Sequence, residues 1–169
     1  MKLCYGIEMK SVEHLPLNEL EPFFQAIYEK VNIIDDDQEL FIVRTSSEAE
    51  TLMELLKEKS LFEAFHTLYS LEVPKLENTF IDYGFKTAND NHYLYEEMTT
   101  SFVIHHGQED QIKMALYQIE EDLIAADFIE EEIYFIDKAS KELIEGYARA
   151  YEISLKFNES RLDKFQKQE

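Results

Sequence analysis

Thirty-six Asp and Glu side chains in 169 residues offer carboxylate chemistry along the whole chain, so the first question is whether any are spaced to hold a metal or move a proton. Glu63 and His66 have the Glu-x-x-His spacing that a helix places on one face, half of a di-iron carboxylate pattern. A second copy is missing, and Phe62 and Phe65 flank the pair as core residues. His105 and His106 end a strand, where successive side chains point to opposite faces and cannot chelate together. His92 stands near Glu96 and Glu97 without a ligand spacing. The run Asp35-Asp36-Asp37-Gln38-Glu39 begins like a calcium loop but lacks the glycine turn and the distant bidentate glutamate. No metal and no cofactor are expected.

Nucleotide and acyl chemistry lack their motifs as well. Four dispersed glycines cannot build a phosphate loop, a dinucleotide fingerprint or a nucleophile elbow. Cys4 is the single cysteine, so no intrachain disulfide forms, which suits a reducing compartment. Early in a strand it reads as a small buried hydrophobe rather than a nucleophile. No catalytic residue is assigned.

The elements that must position these residues follow from hydrophobic period. Residues 2–9 alternate as a strand, with Leu3, Tyr5, Ile7 and Met9 on one face. A helix opening between Asn18 and Pro22 carries Phe23, Phe24, Ile27 and Val31 inward. Residues 39–45 read as a buried strand, followed by a helix capped by Ser47-x-x-Glu50. From Leu61, Phe62, Phe65, Leu68 and Tyr69 fit a further helix, and residues 71–99 show turn signals with little regular structure. A strand at 100–106, a helix over about 108–127, a strand at Ile133–Ile136 and a last helix from Ser140 to about Asn158 complete the pattern, with a polar tail beyond.

These elements predict an α+β fold: one domain over 1–169, a small sheet packed by amphipathic helices. Glu39-Leu-Phe-Ile-Val aligns without gaps on Glu132-Ile-Tyr-Phe-Ile, each preceded by a strand, an amphipathic helix and an acidic run. That correspondence suggests two strand–helix–strand–helix pseudo-repeats, 1–59 and 100–157, around an insertion at 60–99.

Charge carries the functional expectation. The net is −20, far beyond what solubility needs, and it is unevenly spread. Residues 13–39 hold eight acids against Lys30, and residues 109–137 hold ten against Lys113; residues 138–169 carry one more base than acid. Such fields repel nucleic acid phosphates and anionic lipid and steer basic partners inward. Acids without local bases must face water or a cation, because burying unpaired charge is costly. The expectation is an acidic cytoplasmic inhibitor, by anti-CRISPR, anti-restriction or nuclease-immunity logic, that mimics nucleic acid. It blocks the basic surface of a partner protein, a nucleic-acid-binding enzyme. The expected contact residues are Asp35, Asp36, Asp37, Glu39, Glu120, Glu121, Asp122, Asp127, Glu130, Glu131 and Glu132. Tyr147, Arg149 and Tyr151, on the least acidic segment, are candidates for a homodimer contact. The alternatives are an enzyme with a pocket built on His66, His92 or His105-His106, or an oligomeric assembly protein.

Overall fold

The computed structural model describes residues 1–13 and 15–158. Helices and two antiparallel sheets give the α+β class, and the described residues cluster into two compact units.

The first unit comprises Lys2–Ser70 with the segment Lys86–Asn91. Its elements are β1 (Lys2–Met9), α1 (Leu17–Lys30), β2 (Ile33–Asp37), β3 (Leu40–Val43), α2 (Ser46–Glu58) and β4 (Phe62–Leu71). The strands lie in the order β2-β3-β1-β4, with Ile7 opposite Phe41 on one side and Phe65 on the other. Alternation puts Tyr5, Ile7 and Met9 of β1 on the face that meets Ile27, Val31, Leu52 and Leu56 of the two helices, forming one core. Leu52 and Leu56 are wholly buried, so truncating either to Ala costs about 2–5 kcal/mol.

Several sequence expectations are corrected here. The stretch from Leu61 is strand β4, not a helix: its apolar residues fit either period, and pairing with the full length of β1 decides the outcome. Glu63 and His66 therefore lose the helical spacing that would set them on one face, and Glu63 falls at a β-bulge where the register with Glu8 and Met9 shifts. Helix α1 opens at Leu17 behind Pro16, with no side-chain cap, so Pro22 falls inside it rather than in its first turn. The capping box of α2 is Thr45 with Glu48, ahead of the expected Ser47: the Glu48 backbone N–H donates to Thr45 Oγ1 at 3.2 Å and the Thr45 N–H to Glu48 Oε2 at 3.0 Å.

The second unit comprises Met1, Leu71–Phe85 and the chain from His92 onward. Its elements begin with β5 (Pro74–Leu76), α3 (Phe80–Tyr83), β6 (Gly84–Lys86, whose last residue clusters with the first unit) and β7 (His92–Tyr95). Residues 71–99 thus hold more regular structure than their turn signals imply. Gly84 is required there, because a Cβ at this position would stand 2.1 Å from the Tyr93 carbonyl oxygen. Then come β8 (Thr99–His106), α4 (Glu109–Ile119), a 3-10 turn (Glu120–Asp122), β9 (Leu123–Phe128), β10 (Glu132–Asp137), α5 (Lys141–Ala150) and β11 (Ser154–Phe157). The helix expected over 108–127 ends eight residues early, and β9 takes its place in the sheet β11-β8-β10-β9-β5. The last helix ends at Ala150, not near Asn158, and β11 follows; the polar tail lies outside the described residues. Phe102, Ile119, Tyr134, Ile136, Ile144 and Ala148 form this unit's core.

Setting β5 to β7 aside, both units run β-α-β-β-α-β, with the third strand between the first and second and the fourth beside the first. This is the split, ferredoxin-like arrangement. The aligned segments Glu39–Val43 and Glu132–Ile136 contain the third strand of each unit. The expected repeat was short by its second and fourth strands, and Phe62–Leu71, expected in an insertion, is the first unit's fourth strand.

Candidate functional site

Two of the acidic runs, 35–39 and 130–132, lie at β-hairpins, and the third, Glu120–Asp122, is the 3-10 turn between α4 and β9. In the first unit Asp37 faces Leu40 across a two-residue turn whose Gln38 sits at φ 53°, and in the second Glu132 faces Phe128 across a three-residue turn. A hairpin tip cannot bury all its side chains, so most of these carboxylates reach water. Asp36, Glu120, Glu121, Glu130, Glu131 and Glu132 are exposed, and Asp37, Glu39 and Asp122 half-buried.

Two expected contact residues are interior instead. Asp35 is 3% exposed and accepts from Thr87 Oγ1 at 2.8 Å, Asn89 Nδ2 at 2.7 Å and Asn91 Nδ2 at 2.8 Å. Asp127 is 0% exposed and accepts from the backbone N–H of Val73 at 2.7 Å and of Glu72 at 3.1 Å, with the Met1 amino group 3.1 Å away. Both carboxylates hold neighbouring chain in place and are withdrawn from the contact set. A buried carboxylate is tolerated only where donors surround it, and these two have them.

In the second unit one residue of each acidic triplet, Glu120 and Glu132, comes to the same cleft. A cleft of about 330 Å³ has Leu116 of α4, Leu123 of β9 and Tyr134 of β10 among its walls, and both Glu120 and Glu132 line it. Tyr117, 78% exposed, stands at the same cleft with Lys75 and Lys113. Lys75 lies 3.7 Å from Glu120 and 3.4 Å from Glu77, and Lys113 lies 2.7 Å from Glu109. Tyr134 is buried with its ring stacked on Phe102 at 5.3 Å; burial, and then hydrogen bonding to Glu132, push its hydroxyl pKa up, so it stays a proton donor toward that carboxylate.

The histidines are dispersed. His66 Nε2 lies 3.4 Å from Glu8 Oε2 between β4 and β1, His92 opens β7, and His105 and His106 are exposed at the end of β8. Among the described residues no group of three His, Cys, Asp or Glu side chains is placed to hold a metal ion. Tyr147 and Tyr151 pack half-buried against the core of the second unit, while Arg149 is exposed. Cys4 is buried on β1, its thiol 3.7 Å from the Leu68 carbonyl, and burial pushes its pKa up to about 12. It is a neutral thiol without nucleophilic character at ordinary pH. No helix of the described residues is long and apolar enough to cross a membrane.

Comparison with protein-family models, curated proteins and solved structures finds no match for this chain. The cleft is the feature sequence reasoning missed. Its acids were legible as a run, but the strand β9 that folds Glu120 and Glu132 onto one cleft was hidden inside an apparent helix.

Proposed function

We propose that the protein is an acidic cytoplasmic binding protein that occupies a basic, nucleic-acid-binding surface of a partner protein and so inhibits it, the logic of anti-CRISPR, anti-restriction and nuclease-immunity proteins. The observation that supports this reading is the convergence of Glu120 and Glu132 on one cleft, each next to further exposed acids, Glu121 on one side and Glu130 and Glu131 on the other. Single-sign charge concentrated on one feature steers a cationic partner and repels nucleic acid itself. Asp36, with the half-buried Asp37 and Glu39, adds charge to the first unit's hairpin. The buried reduced thiol of Cys4 suits a reducing compartment.

The test is affinity capture from a bacterial lysate at low and high salt. Wild type is compared with a variant carrying Glu120→Gln, Glu121→Gln, Asp122→Asn, Glu130→Gln, Glu131→Gln and Glu132→Gln together. The reading expects a nucleic-acid-binding protein that is retained at low salt, shed by high salt, lost by the variant, and displaced by duplex DNA. Failure to retain any salt-sensitive partner, or retention unaffected by the six substitutions, overturns it.

A further inference from the structure

Charge alone marks a surface without saying what it grips, but the cleft combines four features of different kinds. Its walls include the apolar Leu116 and Leu123, and Tyr117 presents an aromatic ring that no core claims. Glu132, an exposed carboxylate, lines the cleft together with Glu120, so two anionic groups face the same space. The two cations at the cleft are already engaged: Lys113 by Glu109, and Lys75 by Glu77 and Glu120. The Lys75–Glu120 contact is long and both ends are exposed, so a better donor displaces it readily.

Resting on the proposed function, we infer that this cleft receives one arginine side chain of the basic partner, its stem against Leu116 and Tyr117 and its guanidinium on Glu132 and Glu120. A volume of about 330 Å³ admits a long side chain but not a folded element. The chemistry favours arginine over lysine. A planar guanidinium offers two parallel N–H donors to a carboxylate and can lie flat on an aromatic face; an ammonium can sit over a ring but has neither the parallel donor pair nor the flat face. Arginine and tyrosine are also the residue types that concentrate binding energy at interface centres. The cleft is thus the specific anchor, and the surrounding Glu121, Glu130 and Glu131 supply steering.

The test uses fluorescein-labelled peptides of alternating Arg-Gly and alternating Lys-Gly, equal in length and charge, and fluorescence anisotropy with the intact protein at low salt. The Arg-Gly peptide is expected to bind about tenfold more tightly than the Lys-Gly peptide. Tyr117→Ala and Glu132→Gln are each expected to weaken the Arg-Gly peptide by about tenfold while leaving the Lys-Gly peptide within about twofold. Both residues are exposed, so the folded state survives substitution, and circular dichroism melts confirm it. Equal affinity for the two peptides, or indifference of the Arg-Gly peptide to both Tyr117→Ala and Glu132→Gln, overturns the arginine receptor. If the sixfold-neutralised variant still loses binding in that case, the acidic-inhibitor reading stands without it; if it does not, both fall.

Discussion

Asn89 donates its side-chain amide to the Asp35 carboxylate at 2.7 Å, tying the loop after β6 to an aspartate in the middle of an acidic hairpin. Asp36, the next residue, is exposed. Two adjacent aspartates thus differ completely in their energetics. Asp35→Ala strands the donors of Thr87, Asn89 and Asn91 and is expected to cost about 2–4 kcal/mol. Asp36→Ala is expected to change stability by no more than about 0.5 kcal/mol. Urea unfolding of the two variants checks the contrast, and equal midpoints would contradict the placement of Asp35.

Asp127, itself fully buried, holds the exposed turn at Glu72 and Val73 in the second unit by accepting from their backbone N–H groups. Asp127→Ala is expected to cost about 1–3 kcal/mol, since it removes a charged acceptor from two backbone N–H groups and from the Met1 amino group. Glu131→Ala, four residues away and exposed, is expected to be silent in the same thermal melts.

Cys4 links stability to alkaline pH. Its folded pKa, about 12, lies above the value of 9.0 for a free thiol. The folded state therefore favours the protonated form. Stability is undiminished below pH 9, falls as the unfolded thiol ionises, and goes on falling until the folded thiol ionises near pH 12. Between pH 8 and 11 this group removes about 2–3 kcal/mol from wild type and nothing from Cys4→Ala. The expected observable is a narrowing of the difference between the two urea curves across that range. A pH-independent difference would show that the thiol is not buried. In native protein at pH 8 the same thiol is expected to resist a thiol reagent until the chain unfolds.

Gly84 is held by contact rather than by backbone conformation. Its φ is −167°, an extended value open to any residue, yet an added Cβ meets the Tyr93 carbonyl oxygen at 2.1 Å. Gly84→Ala must push the chain away from Tyr93 and is expected to cost about 1–3 kcal/mol, read as a lowered melting temperature. Gly146→Ala is the control, because a Cβ there meets only the end of Arg149 at 3.9 Å and a helical glycine replaced by alanine gains stability.

What the sequence determined by itself were features fixed by local chemistry and strong periodicity. The strands around Phe41 and Phe135 are runs of apolar residues bounded by charge, and the α+β class followed from mixing them with helical stripes such as Ile112, Leu116 and Ile119. Excess negative charge on two windows is a property of composition and survives any fold. The tertiary structure decided the rest. Phe62, Phe65 and Leu68 satisfy a helical period as well as they tolerate a strand, and pairing with β1, lying more than fifty residues earlier, makes them β4. Leu123–Phe128 continued an apparent helix until pairing with β10 claimed it. Carboxylate fates were equally illegible: Asp35 and Asp127 sit in the same acidic runs as their exposed neighbours. A buried charge is selected by donors that distant segments bring to it, Thr87, Asn89 and Asn91 for one, Glu72 and Val73 for the other. Charge is written in the chain, but desolvation is a property of what packs against it.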